Sequence, residues 1–104
     1  MTRPTTILAV LRAARNKIRL KRNWCREMYA RSARRTWLDP KSPKACQWCA
    51  EGAIMAVSPD DILDDVMAIV NALGIVTDIN DDEGHAAVMR LFAKAIRKME
   101  EAGR

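Results

Sequence analysis

Apolar residues recur every three or four positions along three segments of this chain, and that spacing constrains the fold more than any other feature. A period near 3.6 residues is typical of amphipathic helices that bury one face. The three stripes are Ile7, Leu11, Ala14 and Ile18; Ile62, Val66, Ile69 and Leu73; and Val88, Phe92, Ile96 and Met99. The sequence therefore predicts an all-α fold.

Capping residues and prolines give bounds for the first part of the chain. A helix is predicted to begin near Thr5 or Thr6, where a hydroxyl can accept a hydrogen bond from a free backbone N–H. The pattern leaves open whether this helix ends near Asn23 or continues beyond it. Prolines at positions 40 and 43 predict a loop over residues 34–44, with a short extended piece at 36–38.

Two Ser-Pro pairs predict the starts of the next helices, because proline suits a first helical turn. The pair at 42–43 predicts a helix from about Lys44 to Val57, and the pair at 58–59 predicts another that begins with two aspartates. Gly74 is expected to end that helix in a left-handed turn, and residues 75–77 to be extended.

These signals predict a small single domain, residues 1–104, of four or five helices around one core, with room for one minor pair of short strands. Ten apolar residues are predicted to be buried in that core: Ile7, Leu11, Ile54, Ile62, Val66, Ile69, Val70, Val88, Phe92 and Ile96.

Charge is divided into three blocks along the chain. Residues 1–44 carry thirteen Lys or Arg against two acids, a net charge of +11. Residues 45–89 carry nine acids and no Lys or Arg, a net charge of −9, and residues 90–104 carry +3. Such blocks suit either a partner of opposite charge or pairing between the blocks, within the fold or across a homo-oligomer. The sequence leaves both alternatives open.

Targeting signals and cysteine usage bear on location. No apolar run reaches the roughly 18 residues of a membrane span, and we interpret the N-terminal apolar patch as a helix of the mature protein rather than a signal peptide. Three cysteines, an odd number, argue against a disulfide framework. We therefore expect a cytoplasmic protein that does not associate with membranes.

Three patches of sequence together carry a family resemblance. They are Asn23-Trp24-Cys25, residues 46–54 (CQWCAEGAI) and residues 79–96 (INDDEGHAAVMRLFAKAI). They resemble a family of uncharacterised proteins, a domain of unknown function found in actinobacteria and bacteriophages. Ile79 departs from the Trp that the family tends to have there, and Asn23 departs from its usual Gly. The resemblance implies a shared fold and an origin in a phage or mobile element, and it implies no activity.

Cys46 and Cys49, with Cys25 and His85, would supply the four donors that a structural zinc ion needs. However, zinc pairs normally lie on a turn, whereas the predicted helix from Lys44 would contain both Cys46 and Cys49. A redox dithiol would need a strand–helix–strand context that the pattern lacks. We therefore expect Cys49 to be a buried, reduced core residue, His85 to be solvated, and no metal or other cofactor to be bound.

The acidic cluster over residues 78–83 resembles a calcium loop in composition, but it lacks the spacing of one. We expect Asn80 or Asp81 to cap the last helix instead. The chain also lacks a serine–histidine–acid pattern, a glycine-rich phosphate loop and an HExxH motif, so enzymatic activity is disfavoured.

The basic first third interleaves Arg and Lys with Trp24, Tyr29 and Trp37, a composition that suits nucleic acid if those aromatics are exposed rather than core. The candidate nucleic-acid-binding residues are Arg15, Arg19, Arg22, Arg26, Arg34 and Arg35. On a continuous helix the first four would form one stripe. The leading hypothesis is a small non-enzymatic binding protein, encoded by a phage or mobile element, that acts on a host protein. The alternative is a nucleic-acid-binding protein without sequence preference.

Overall fold

Helix α1 spans Ile7–Ile18 and begins where the sequence predicts. In the computed structural model, which describes residues 4–103, the Thr6 hydroxyl accepts a hydrogen bond from the backbone N–H of Ala9 at 3.1 Å. The helix ends at Ile18, and a 3-10 turn, Lys21–Asn23, follows. The question left open by the sequence is therefore answered: α1 does not reach Asn23.

Two short strands form a small antiparallel sheet. Strand β1 is Ala30–Arg31 and strand β2 is Gln47–Trp48, with Ala30 opposite Trp48. The minor pair of strands exists, but not where extended pieces were predicted. In the 36–38 piece, Trp37 makes only a single bridge to Arg31.

Helix α2 spans Ala50–Val57, so the prediction of a start near Lys44 is wrong. Pairing with β1 holds the preceding residues extended, and Cys49 becomes the N-cap of α2. Its sulfur accepts a hydrogen bond from the backbone N–H of Gly52 at 3.2 Å. Neither Cys46 nor Cys49 lies inside a helix.

Helix α3 spans Asp60–Leu73 and has two aspartates in its first turn, as predicted. Gly74 ends it, but with an extended φ of 166° rather than in a left-handed turn. Residues 75–77 were predicted to be extended, yet they lead into the short helix α4, Val76–Asp78. A π-helical turn, Ile79–Glu83, precedes helix α5, His85–Glu101.

The core lies where α1 packs against α2, α3 and α5, and the all-α class is confirmed. Seven of the ten predicted core residues are buried. The other three, Ile7, Ile62 and Ile69, are half-buried and pack against the core. Over residues 4–103, no helix combines the length and the apolar character needed to cross a membrane.

Candidate functional site

Asn80 joins three segments of the chain at a buried junction. It is 2% exposed, and its Oδ1 accepts hydrogen bonds from the indole N–H of Trp24 at 2.6 Å and the backbone N–H of Ala50 at 2.9 Å. Its Nδ2 donates to the Cys25 carbonyl at 3.1 Å and to Asp81 Oδ1 at 2.9 Å. The amide thus uses both donors and accepts two bonds. The prediction that Asn80 caps α5 is wrong, because its side-chain oxygen instead accepts a hydrogen bond from the first residue of α2.

Asp81 extends this junction to the loop after the 3-10 turn. Its Oδ1 also accepts a hydrogen bond from the backbone N–H of Glu27 at 2.9 Å, and Glu27 has a left-handed φ of 62°. The Arg26 guanidinium donates to the Asp81 carbonyl at 2.9 Å and lies 5.3 Å from the Trp24 ring centroid. Asp81 therefore fixes the loop rather than capping α5, which begins after Gly84 without a side-chain cap.

Gly52 allows the segment at Tyr29 to lie directly on α2. A β-carbon at position 52 would overlap the backbone carbonyl of Tyr29. The same carbonyl accepts a hydrogen bond from the Cys49 N–H at 3.2 Å. Tyr29 is held by its backbone against α2, and the residue is 41% exposed.

A cavity of about 250 Å³ lies beside the junction. Tyr29 and Trp37 line it, and Trp37 is 62% exposed. The carboxyl-bearing residues of its lining are Glu27, Glu51 and Asp81, and no Lys or Arg of the described chain lines it. The cavity thus combines aromatic surface with one sign of charge.

Burial changes the ionisation of two groups that line this cavity and of Cys25, which does not line it. It raises the pKa of Glu51, a residue in the first turn of α2. Burial also raises the pKa of the Cys49 thiol to about 12 and, against the opposing effect of Arg31, the pKa of Cys25. Both thiols are therefore protonated near neutral pH and are poor nucleophiles or metal ligands.

The four residues considered as zinc donors, Cys25, Cys46, Cys49 and His85, do not form a ligand set. Cys25 and Cys49 are buried and Cys46 is exposed, all without disulfides, which confirms the predicted burial of Cys49. His85 is half-buried rather than solvated, with Nε2 2.7 Å from the Ile18 carbonyl at the end of α1. Across residues 4–103, no three His, Cys, Asp or Glu side chains are arranged to hold a metal ion.

The predicted arginine stripe is broken because α1 ends at Ile18. Arg15 lies in the last turn of α1, Arg19 follows it, and Arg22 lies in the 3-10 turn. Arg26 is held at the Asn80 junction. Arg34 and Arg35 are exposed in a turn between Arg31 and Trp37, where Arg35 has a φ of 62°. The structure therefore separates the six candidate residues into three places.

The charge blocks make few ion pairs with each other. Within the described part of the chain there are two: Arg12 with Glu100 at 2.6 Å, and Lys41 with Asp60 at 3.3 Å. Of the four aspartates in the first turns of α3, at positions 60, 61, 64 and 65, only Asp60 has an ion pair in residues 4–103. Most of the segregated charge therefore faces solvent.

A second cavity, of about 820 Å³, lies between α1 and the loop before α3. Lys17 lies over the ring of Trp48, with Nζ 4.1 Å from the ring centroid, and the Trp48 indole donates to the Pro40 carbonyl at 2.9 Å. Lys41 and Asp60 at its edge bond each other. Its polar groups are therefore largely satisfied within the chain.

The family resemblance can be checked against family models. A model described as a family of unknown function (DUF6197) matches residues 2–98. The chain belongs to this family. No curated protein and no solved structure matches it. Membership of DUF6197 supplies no activity.

The three patches that carry the family resemblance meet at the junction of this DUF6197 member. Asn80 accepts hydrogen bonds there from the Trp24 indole N–H and from the Ala50 backbone N–H. Gly52 leaves room for the Tyr29 carbonyl, and Gly84 adopts a φ of 97°. The sequence does not predict the cavity. It indicates Tyr29 and Trp37 only as groups that could stack on bases, and Glu51 carries no local signal that would mark it as part of a site.

Proposed function

We propose that this protein is a small non-enzymatic binding protein that acts through a protein partner, with the cavity at Tyr29 and Trp37 as its contact site. One observation carries the proposal: the exposed aromatic side chains of the described chain, Tyr29 and Trp37, line the same cavity. Tyr and Trp are enriched at protein interfaces and among the residues that dominate binding energy. Covering Trp37 would remove a large apolar surface from water.

The chemistry of the cavity supports binding rather than catalysis. Cys49 has a pKa of about 12, so its thiolate is scarce at neutral pH. The Nε2 atom of His85 is engaged by the Ile18 carbonyl, away from the cavity lining. A nucleophile and a base within hydrogen-bond reach of each other are what covalent catalysis needs, and these residues do not provide them.

Nucleic-acid binding is the second candidate. It is favoured by the turn that carries Arg34 and Arg35 next to the exposed Trp37, since basic residues neutralise phosphates and an indole can stack on a base. Carboxylates at the cavity beside Trp37 would repel a phosphate backbone at the same place. For this reason the protein partner is the leading proposal.

Origin and location follow as parts of the same proposal. The resemblance to actinobacterial and phage proteins supports a chain encoded by a phage or mobile element, with a host protein as the partner. Free Cys25, Cys46 and Cys49 fit a reducing cytoplasm. The gene neighbourhood is the direct check, since an early phage operon favours a modulator of a host factor.

Partner capture with a matched pair of variants tests the leading proposal. Tagged wild type, Trp37→Ala and Ile75→Ala would be crosslinked in the native host and the recovered proteins quantified by mass spectrometry. Ile75 is the control because it is 59% exposed and does not line the cavity. We expect one protein to be recovered by wild type and Ile75→Ala, with at least about tenfold loss for Trp37→Ala. Equal recovery by both variants would contradict the proposal.

A salt series tests the alternative. Fluorescence anisotropy with single-stranded and duplex DNA and RNA should show no binding near 0.1 M salt if the basic residues do not face nucleic acid. Binding that weakens steeply with salt, and whose salt dependence decreases in the Arg34→Ala/Arg35→Ala variant, would put the nucleic-acid function first. Self-association in sedimentation would instead identify a second copy as the partner.

A further inference from the structure

We infer that the cavity beside Trp37 receives an arginine or lysine side chain of the protein partner, an inference that rests on the proposed function and deepens it. The cavity and its two exposed aromatic walls make this a site for a ligand, and its charged residues determine which ligand fits. Glu27, Glu51 and Asp81 line it, and within residues 4–103 none of them has an ion-pair partner. A concave surface with one sign of uncompensated charge concentrates ligands of the opposite sign.

Arg26 precedes the cavity residue Glu27 in the chain but does not line the cavity. Arg26 donates to the backbone carbonyl of Asp81, not to its carboxylate, and its guanidinium lies over Trp24 rather than in the cavity lining. Asp81 Oδ1 accepts from two N–H groups, of Glu27 and Asn80, at 2.9 Å each. The carboxylate is thus held in place before any ligand arrives, which reduces the ordering cost of binding.

The aromatic walls favour an organic cation over a metal ion. Tyr29 and Trp37 present ring surface on which a guanidinium or ammonium group can stack by cation–π attraction, while the aliphatic stem of Arg or Lys packs on the rings. No three carboxylates of the described chain are arranged as metal ligands. At about 250 Å³ the space is smaller than the roughly 300–1,000 Å³ of pockets for drug-sized ligands and suits a single side chain.

The ionisation of Glu51 agrees with this assignment. Burial raises its pKa because water solvates the carboxylate poorly, and no positive group is among the causes of the shift. A cation placed in the cavity would supply the missing stabilisation of the charged form. The site therefore gains more from a cationic side chain than from a neutral one of the same shape.

A ligand pair that differs only in charge tests the inference. The probes are Nα-acetyl-arginine methylamide and its uncharged isostere, Nα-acetyl-citrulline methylamide, titrated into the full chain and followed by ¹⁵N NMR. We expect saturable shifts of the Trp37 indole and the Glu51 amide with the arginine probe, at a Kd on the order of 1–10 mM for a single side chain. The citrulline probe should not saturate. Equal binding of both would overturn the inference, because stacking alone would then explain it.

Two carboxylate variants make the test specific to the cavity. Glu51→Gln should weaken the arginine probe about fivefold, the scale of one partly exposed charge pair. Asp64→Asn is the matched control, because Asp64 is an exposed acid on α3 that does not line the cavity, and it should change the affinity less than twofold. Equal weakening by both variants would overturn the inference, since a diffuse acidic field would then be responsible. Retained NMR dispersion shows that each variant is folded.

Failure of the inference and failure of the proposed function give different results. A partner that is lost by Trp37→Ala but retained by the Glu27→Gln/Glu51→Gln variant would preserve the protein-binding function and reject the cationic side chain. Arginine binding in the cavity without a partner dependent on Trp37 would reject the proposed function and preserve the site.

Discussion

The polar side chain at the centre of the Asn80 junction is fully hydrogen-bonded, whereas few charged side chains on the surface of the same molecule form ion pairs. Both donors of the Asn80 amide are used and its oxygen accepts two bonds, and no buried side-chain nitrogen or oxygen in the described residues lacks a partner. On the surface, the segregated blocks form two ion pairs within residues 4–103. Buried polar groups of the described residues are thus paired within the fold, whereas most of the surface charges have no ion-pair partner there.

The difference separates what the family patches explain from what they do not. Trp24, Gly52 and Asn80 belong to those patches and together hold the loop after α1 on α2. Tyr29 and Trp37 lie outside the patches, and they carry the proposed contact site. The patch residues at the junction thus serve the architecture, whereas the exposed aromatic residues carry the proposed contact site.

Removing Asn80 should have the largest effect on stability. Asn80→Ala leaves the Trp24 indole N–H and the Ala50 N–H unsatisfied in a buried site, so we expect the free energy of unfolding to fall by about 4 kcal/mol. Asn71→Ala is the control, because Asn71 is exposed and accepts one hydrogen bond, from Val76 at 3.0 Å. It should lose about 1 kcal/mol. Urea unfolding followed by circular dichroism measures both, and equal losses would contradict a special role of the junction.

Adding a β-carbon at Gly52 should lower the free energy of unfolding nearly as much as Asn80→Ala does. Gly52→Ala drives a β-carbon onto the Tyr29 carbonyl, which is backbone and cannot easily move, so we expect a loss of about 3 kcal/mol. At Gly74 the same change meets the end of the flexible Ile79 side chain, and φ there is extended. Gly74→Ala should therefore cost about 1 kcal/mol or less. Similar melting temperatures for the two variants would contradict this, because they would show that the backbone at Tyr29 can move away from α2 at little cost.

Local patterns predicted the parts of the fold that depend on neighbouring residues in the chain. The cap at Thr6 and the helix start after Pro59 follow from turn chemistry, and the burial of Phe92 follows from periodicity. The start of α2 could not be predicted, because pairing of Gln47–Trp48 with β1 overrides the helix signal at Pro43. Asn80 looked like a local cap because its partners lie far away in sequence.

The candidate site could be predicted less well than the fold. The sequence left open whether its aromatics are core or surface, and the structure divides them: Trp24 is 7% exposed and Trp37 is 62% exposed. Both tryptophans lie among arginines, so nothing local distinguishes them. The cavity acids come from positions 27, 51 and 81, which only the tertiary fold brings together.

Removing surface arginines tests whether the charged surface contributes little to stability, in contrast to the Asn80 junction. Arg15→Ala/Arg19→Ala/Arg22→Ala should lower the free energy of unfolding by no more than about 1 kcal/mol, mainly through weaker interactions with the C-terminal end of α1. The control, Arg12→Ala, breaks an exposed ion pair with Glu100 and should cost about 0.2–1 kcal/mol. A loss of several kcal/mol, or weaker self-association of the triple variant, would show that the charge blocks pair with each other after all.

The smallest expected effect is at the half-buried Glu51, and the size of this effect depends on pH. Burial raises the pKa of Glu51, so the folded chain holds that proton more tightly than the unfolded chain. The stability gained in this way is present below the unfolded pKa of about 4.3 and is lost as the pH rises through the folded pKa. Above the folded pKa the wild type bears the cost of a poorly solvated carboxylate at position 51, and a neutral glutamine removes that cost.

Glu51→Gln should therefore raise the free energy of unfolding at pH 7, by less than about 1 kcal/mol because solvent still reaches the half-buried carboxyl. Near pH 4 the difference from wild type should shrink towards zero. Urea unfolding at both pH values measures it, with Asp64→Asn as the control for removal of an exposed α3 charge. If Glu51→Gln instead lowers the free energy of unfolding at pH 7, the attraction between the Glu51 carboxylate and the N-terminal end of α2 outweighs the cost of burying the charge. The carboxylate would then be stabilised within the chain, and the case for a cationic partner at the cavity would weaken.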